Sequence, residues 1–253
     1  MIITNHRSSR AREKEKLLRK KVGQAIRDYR MINKGDRIAV AVSGGQDSFS
    51  LLKILTSKTV VKSLGFKPVA LHIETDIGST RKEMRGFLSG IFEELGLEYH
   101  FGAADIVKTS QKEEINCFWC SWVRRKRIFE MADRLNCNKV ALGHHKDDII
   151  ETLLLNLFYN GEISTMNPNQ SMFDGRLHII RPLCYLQKNE ISEFAQALKF
   201  QKEDCSCSYG DISKRRVVRE VITKVAGTSR TVKTNLFKAP SRIRSEYLGM
   251  KGA

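Results

Sequence analysis

Residues 37–48 read RIAVAVSGGQDS, a stretch that joins a short hydrophobic run to a glycine turn and decides the fold class. RIAVAV has the composition of a buried strand, and FSLLKILTS after the turn has the apolar spacing of a helix. Gly44 and Gly45 can take positive φ, which lets backbone N–H groups approach an oxyanion closely. The N-terminus of the following helix adds a positive dipole end. The stretch therefore predicts a strand, a phosphate-binding turn and a helix in direct succession.

Similar strand-like and helix-like runs alternate along the rest of the chain. We predict further strands at residues 68–73, 99–103, 139–142 and 178–180, and helices at 17–32, 81–95, 124–135, 149–158 and 190–198. This alternation predicts an α/β fold with a doubly wound parallel sheet and helices on both faces. Within the 253 residues we predict a basic N-terminal helix over 1–34, a catalytic domain over 35–226 and a basic tail over 227–253.

The formal net charge of +16 is concentrated at the two ends of the chain. Residues 1–34 and 211–253 each carry eleven Lys or Arg against three Asp or Glu, whereas residues 35–210 are neutral. Basic ends on a neutral body favour a polyanionic partner such as RNA. Basic arms that only increase solubility are the alternative interpretation.

The sequence carries no sign of a membrane protein or of a secreted one. No apolar run approaches the roughly 20 residues that a membrane span needs, and residues 1–21 lack the apolar stretch of a signal peptide. We therefore expect a cytoplasmic protein without membrane contact. In a reducing compartment, its six cysteines are more often metal ligands or catalytic groups than disulfides.

Residues 43–48, SGGQDS, are called the phosphate turn below, and their side chains suit a nucleotide site. Ser43 and Ser48 offer hydroxyl donors, and Asp47 offers a carboxylate that can hold a magnesium ion. No Lys-Ser or Lys-Thr pair follows the glycines, which excludes the common Gly-x4-Gly-Lys-Ser/Thr phosphate loop.

A second polar motif, ALGHHKDDIIETLLLN at residues 141–156, starts at the end of a predicted strand and opens a helix. Asp148 and Thr152 are four residues apart and would share one helix face. Helix capping by Asp147 and Asp148 is the simpler interpretation, but it does not require two histidines. Because open parallel sheets bind ligands at the carboxyl ends of their strands, we expect the motif to lie near the phosphate turn.

Four of the cysteines form two close pairs, Cys117-x-x-Cys120 and Cys205-x-Cys207. The pairs suit a shared metal centre, a structural zinc site with four thiolates, or a redox dithiol. The basic residues 124–127 would favour thiolates nearby and attract phosphate. Cys137 and Cys184 lie in or near apolar runs and are predicted to be buried small hydrophobic residues.

Both polar motifs resemble those of the N-type ATP pyrophosphatases, also called PP-loop enzymes, which adenylate a carbonyl oxygen and release pyrophosphate. Four longer segments, at residues 31–55, 117–132, 141–161 and 179–191, are similar to the tRNA 2-thiocytidine synthetase group, and the match runs from about residue 16 to 225. The resemblance implies ATP-dependent thiolation of a cytidine C2 oxygen in the anticodon loop. It also implies Mg²⁺, a [4Fe-4S] cluster and a sulfur donor such as a cysteine desulfurase, and it is compatible with a homodimer.

The resemblance also implies roles for individual residues. The implied catalytic residues are Asp47, Asp148 and His144, and Arg181 is expected to help balance charge on the pyrophosphate. The implied ATP contacts are Ser43, Gly44, Gly45, Gln46, Asp47, Ser48, Leu71, His72, Ile73, Gly143, His144 and Asp148. The implied cluster ligands are Cys117, Cys120 and Cys205, with Cys207 as a rival for the third place. Two departures from the family pattern stand out: position 46, often lysine, is Gln, and the late cysteine pair is one residue shorter.

Other functions of related chemistry stay open at this point. A PP-loop enzyme of the lysidine or 2-thiouridine type would share the ATP motifs, but the CxxC disfavours the former. The cysteine spacing also lacks the N-terminal zinc ribbon expected of archaeal-type thiouridine enzymes. A zinc-containing RNA-binding module without catalysis, and an amide ligase, are the remaining alternatives, and the basic ends disfavour the ligase.

Overall fold

The computed structural model describes residues 9–76, 81–109, 117–200 and 214–247. The chain divides into two compact units. The first comprises residues 1–145 and 167–211, and the second comprises residues 146–166 and 212–253. The predicted division into residues 1–34, 35–226 and 227–253 stays a prediction.

The first unit holds the sheet and most of the helices. Its strands are β1 (Arg37–Ala41), β2 (Lys67–Thr75), β3 (Glu98–Ala104), β4 (Lys139–Ala141), β5 (Asn169–Met172) and β6 (Leu177–Ile180). Its helices are α1 (Ser9–Asp28), α2 (Gln46–Leu55), α3 (Lys58–Leu64), α4 (Arg81–Glu94), α5 (Ile106–Thr109), α6 (Cys117–Arg134) and α8 (Lys188–Ala197). The second unit holds α7 (Lys146–Asn160), α9 (Lys214–Ala226), α10 (Val232–Lys238) and two 3-10 turns, Ala239–Ser241 and Ser245–Tyr247.

The six strands form one sheet in the order β3-β2-β1-β4-β6-β5. All neighbouring pairs are parallel except β5 and β6, which are antiparallel. The predicted α/β class with a mainly parallel sheet is therefore confirmed. The order reverses direction between β1 and β4, and such a switch point opens a crevice at the carboxyl ends of the two strands.

Both faces of the central strands are buried, as the near-continuous apolar runs in the sequence predict for a parallel sheet. On one face, Ala39 and Val140 pack in a cluster with Ala132 and Met131 of α6. Side chains alternate along a strand, so Val40 points to the other face, where it is also fully buried.

Helix α1 is amphipathic, as predicted, although it begins at Ser9 and ends at Asp28 rather than spanning residues 17–32. Leu18 and Val22 are buried, whereas Leu17 is 53% exposed. Its basic side chains include Lys21, whose Nζ lies 2.7 Å from a carboxylate oxygen of Glu190 on α8. The helix therefore combines an apolar face with ion pairs to a neighbouring helix.

The second unit is a small helical cluster with its own apolar core. Ile150 and Leu154 of α7 pack with Val218 and Ile222 of α9, and two α10 side chains, Leu236 and Phe237, complete the cluster. Helix α10 lies inside the segment that was predicted as a basic tail. Within the described ranges, none of the helices combines the length and apolar character that crossing a bilayer requires.

Candidate functional site

The phosphate turn leads directly from β1 into α2, as the sequence predicts. Gly44 has a φ of +88°, and a Cβ at this position would lie 2.7 Å from the Met84 Sδ atom. Gly45 instead has a φ of −88° and is the N-cap of α2, so only the first of the two glycines needs positive φ. Because Gly45 has no side chain to cap the first turn of α2, the N–H groups there can bind an anion.

The two serines of the phosphate turn have different environments. Ser48 is buried, and its hydroxyl donates to the Gly45 carbonyl at 3.0 Å and accepts from the Ser43 N–H at 3.0 Å. Ser43 is exposed, and its hydroxyl oxygen lies 3.1 Å from that of Ser48. Ser48 therefore stabilises the shape of the turn, while Ser43 is the hydroxyl that faces solvent.

The loop after β4 lies against the start of α2. A Cβ on Gly143 would be 3.0 Å from the Ser48 nitrogen and 3.1 Å from the Asp47 carbonyl carbon, so a larger residue would displace the phosphate turn. His144 is half-buried, and His145 is buried with its Nε2 atom 3.9 Å from the Asp47 Oδ1 atom. The role of His144 that the resemblance implied stays a prediction, and His145 is a second histidine of the motif that lies beside the phosphate turn.

Asp47 makes its shortest contacts with a lysine that sequence reasoning did not identify. The Nζ atom of Lys188, the first residue of α8, lies 2.6 and 2.7 Å from the two carboxylate oxygens of Asp47. The two residues are 141 positions apart. No local pattern in the sequence could therefore have indicated the pair.

The end of β2 lies beside the strand that precedes the phosphate turn. The Leu71 carbonyl accepts a hydrogen bond from Val42 at 2.8 Å, and the Nδ1 atom of His72 lies 2.7 Å from the Val42 carbonyl oxygen. Burial is the main cause that lowers the pKa of His72, although the Val42 carbonyl opposes it, and Arg124 lowers the pKa further. A neutral ring with Nδ1–H donating fits this contact. Ile73 is buried one residue further on.

The acidic motif of the second unit pairs with the two C-terminal helices. Arg219 of α9 lies 2.8 Å from a carboxylate oxygen of Glu151, and Lys233 of α10 lies 2.6 Å from one of Asp147. Asp148, half-buried on the first turn of α7, interacts electrostatically with Arg219. Asp147 and Glu151 therefore link α7 to α10 and α9, a role that the sequence did not predict.

The CxxC pair lies on the first turn of α6, because this helix begins at Cys117 and not near residue 124 as predicted. Positions 117 and 120 are one helical turn apart. Cys120 is half-buried against a cluster that includes Ile73, Ile106 and Val123. The proposed third ligands, Cys205 and Cys207, lie outside the described residues. Within the described part of the chain, no group of three metal-binding side chains is close enough to hold a metal ion.

The two remaining cysteines are buried, as predicted. Cys137 is 4% exposed and Cys184 is fully buried. Burial raises the pKa of Cys137, and it raises the pKa of Cys184 to about 12. Both thiols are therefore protonated at neutral pH, and reactivity is not expected of them.

Arg181, which follows β6, and Arg125 of α6 contribute positive charge near the carboxyl end of β6. Arg181 follows β6 directly and is only 6% exposed, and its guanidinium donates to the Asn167 carbonyl. Burial and, to a lesser degree, the positive charge of Arg125 lower the pKa of Arg181 to about 10. The guanidinium therefore stays charged at neutral pH and favours an anionic ligand nearby.

Comparison with known proteins adds to this geometry. Residues 14–226 match the family model described as PP-loop domain. A tRNA-cytidine(32) 2-sulfurtransferase from Geobacter sulfurreducens is 34% identical over 240 residues, which cover 92% of each chain. Its counterpart from Pseudomonas fluorescens is 36% identical over 246 residues, or 94% of this chain and 84% of the relative. The chain belongs to the tRNA-cytidine(32) 2-sulfurtransferase family of PP-loop proteins.

The fold of this PP-loop protein also occurs in a solved structure, the U34-tRNA thiolase NcsA from Methanococcus maripaludis with its [4Fe-4S] cluster. The TM-score is 0.76 at 20% sequence identity, and the match covers 93% of this chain and 81% of NcsA. At this identity the likeness concerns the fold. The family resemblance that the sequence motifs indicated is therefore confirmed, and so is the fold that it implied.

Proposed function

We propose that this protein is an ATP-dependent tRNA thiolation enzyme that converts a cytidine of the anticodon loop to 2-thiocytidine. The observation that carries the proposal is the contact of Gly143 with the backbone of Asp47 and Ser48. It brings the start of the second motif against the phosphate turn, in a chain 34 to 36% identical to tRNA-cytidine(32) 2-sulfurtransferases.

In the proposed reaction, the phosphates of ATP bind at the phosphate turn. The cytidine C2 oxygen attacks the α-phosphate, pyrophosphate leaves, and an adenylated base results. Sulfide then attacks C2 and AMP departs with the original oxygen. Backbone N–H groups of the turn, Arg181 and His144 would stabilise the negative charge that develops on the phosphates. His72, held to Val42, would keep the nucleotide side of β2 in place for the base of ATP.

Two carboxylates, those of Asp47 and Asp148, are proposed to take part in this reaction. The Asp47 side chain is 32% exposed and offers the oxygen atoms that Mg²⁺ prefers, so it fits a magnesium ligand. Asp148, in the second polar motif at residues 141–156, is proposed to act in catalysis. Bound magnesium would neutralise charge on the departing pyrophosphate.

We also propose that Cys117, Cys120 and either Cys205 or Cys207 hold a [4Fe-4S] cluster. Thiolates are the usual ligands of such clusters, and the position of Cys120, half-buried against Ile73 near the end of β2, supports the proposal. A cluster with three protein ligands would supply an open iron site for sulfide. The other proposed partners are tRNA and a sulfur donor such as a cysteine desulfurase. The proposed location is the cytoplasm, and the proposed assembly is a homodimer.

Anaerobic purification followed by iron, zinc and sulfide analysis tests the cluster, and nucleoside analysis of tRNA treated with ATP and sulfide tests the reaction. We expect iron and 2-thiocytidine in the wild type. Cys117→Ala, Cys120→Ala and one of the two late variants, Cys205→Ala or Cys207→Ala, should lose both, while the other late variant keeps both. Cys137→Ala serves as the control that retains iron.

Three results would contradict parts of the proposal. Zinc without iron in the wild type, with equal loss in all four cysteine variants, would indicate a structural zinc site. A different modified nucleoside, such as 2-thiouridine or lysidine, would identify another PP-loop activity. Absence of pyrophosphate release with tRNA and ATP would argue for an RNA-binding module without catalysis.

A further inference from the structure

The phosphate turn has no positively charged side chain of its own. Its sequence is SGGQDS, and its one charged residue is Asp47, a carboxylate. ATP carries several negative charges on its phosphates, and a helix N-terminus offsets only about half an elementary charge. The turn therefore leaves most of this charge to bound magnesium and to cations from other parts of the chain, of which Arg181 is one.

Lys188 already lies at that position. Its ammonium group contacts both carboxylate oxygens of Asp47, at 2.6 and 2.7 Å. The side chains of Lys188 and Asp47 are 49% and 32% exposed, so a ligand in solvent can reach both. This pair is not a buried structural ion pair.

The position of Lys188 in α8 also indicates that this lysine does not stabilise the start of its own helix. A lysine at the first residue of a helix opposes the helix dipole, which favours negative charge there. The start of α8 is stabilised by other groups, because the Gln187 N–H donates to the Glu190 carboxylate at 3.0 Å in a reciprocal capping box. The helix therefore does not need Lys188 in order to begin where it does.

We propose that Lys188 is a phosphate-binding residue of the ATP site, and that it supplies from α8 the positive charge that Gln46 does not supply from the turn. This inference rests on the proposed use of ATP. Asp47 holds the ammonium at the turn before ATP binds. An ammonium has three donors on a flexible stem, so it can reach a phosphate oxygen while staying close to Asp47.

Equilibrium binding of ATP and of adenosine to the full chain tests the proposal. Lys188→Met should weaken ATP binding about tenfold, the effect of losing one charge-assisted hydrogen bond, and should leave adenosine binding unchanged. Adding Gln46→Lys to this variant should restore part of the ATP affinity. Lys58→Met is the matched control, because Lys58 is likewise an exposed lysine at the first residue of a helix, α3.

Several results of these binding measurements would overturn the proposal. ATP affinity unchanged in Lys188→Met would show that the lysine only neutralises Asp47. An equal loss of ATP and adenosine affinity, or no recovery with Gln46→Lys, would also overturn the proposal, because neither fits a missing phosphate charge. A wild type that binds no ATP would overturn the proposed function itself, and with it this inference.

Discussion

Asp47 in the phosphate turn and Glu151 on α7 both belong to the signature motifs, yet their surroundings differ. Asp47 is partly exposed and contacts the ammonium group of Lys188, whose side chain is 49% exposed. Glu151 is only 6% exposed and contacts Arg219 of α9. An exposed ion pair contributes about 0 to 1 kcal/mol, whereas removing one partner of a buried carboxylate costs several times more. With the binding role proposed for Asp47, one signature carboxylate would bind a ligand in the first unit, while Glu151 contributes to the stability of the second.

The same contrast separates the carboxylates within the second motif. Asp147 contacts Lys233 and Glu151 contacts Arg219, and these pairs join α7 to the C-terminal helices. The catalytic role proposed for Asp148 is based on the resemblance of its motif, whereas the contacts of Asp147 and Glu151 indicate a role in stability. Function and stability would then lie within a few residues of each other on one helix.

Removal of the carboxylate charges, one at a time, should have the largest effect on activity. Asp47→Asn and Asp148→Asn should lower pyrophosphate release on tRNA by about 100-fold or more, with the melting temperature unchanged. Asp133→Asn, an exposed change on α6, is the control with wild-type turnover. Wild-type turnover in Asp47→Asn would remove the assigned phosphate site.

Loss of the cation beside the buried Glu151 carboxylate should have an effect of intermediate size on stability. Arg219→Met leaves the buried Glu151 carboxylate without its closest cation and should lower the free energy of unfolding by about 1 to 3 kcal/mol. Arg216→Met on the same helix removes only an exposed contact with Glu220 at 3.7 Å. Its cost should be below about 0.5 kcal/mol. Urea denaturation compares the two variants, and equal losses would show that burial of Glu151 is not decisive.

Exposed cations of the second unit can be changed to test RNA binding while the ion-paired residues Arg219 and Lys233 are left intact. Deleting residues 228–253 would also remove Leu236 and Phe237 from the apolar core. We therefore prefer the triple change of the exposed residues Lys238, Arg242 and Arg244 to Gln. Each lost phosphate contact should reduce the salt slope of tRNA binding by about 0.7 to 0.9.

A matched triple change in the neutral centre of the chain controls for total charge. Lys67, Lys108 and Arg134 are also exposed. Changing these three to Gln removes the same charge and should alter the salt slope less. Equal effects of the two triple variants would indicate a general charge effect without a specific RNA surface.

The smallest expected effect is the dependence of stability on pH through His72. Because the pKa of His72 is lowered below 6.5 in the folded protein, the unfolded state binds more protons once the pH falls below that value. The free energy of unfolding should therefore decrease on acidification below about pH 6.5. His72→Gln should flatten this decrease. Identical pH profiles for wild type and His72→Gln would contradict the assignment.

Local patterns in the sequence were sufficient for the elements around the phosphate turn. The apolar run of β1, the glycines and the helical spacing of α2 act over a few residues, and the structure has them at the predicted places. The edge strand β5, NQSM, was not predicted because it has no alternating apolar pattern. Its pairing with β6 depends on backbone hydrogen bonds that any residue except proline can make.

The partners of the acidic residues could not be predicted, for a different reason. Lys188, Arg219 and Lys233 are separated from their carboxylates by 141, 68 and 86 positions. Such pairs result from the packing of whole helices. The start of α6 at Cys117 was missed because its aromatic residues have no clear helical period, although Trp119 and Trp122 stack along the helix.

The stacked indoles of α6 lie beside the CxxC pair and can report on it by fluorescence. Trp119 and Trp122 are the two tryptophans of the chain, and their ring centroids are 5.2 Å apart. Trp119 packs in the same cluster as Cys120. All tryptophan fluorescence of the protein therefore originates within one helical turn of Cys120. A coloured iron-sulfur centre bound there would quench this emission, so that its assembly and loss can be followed in unlabelled protein.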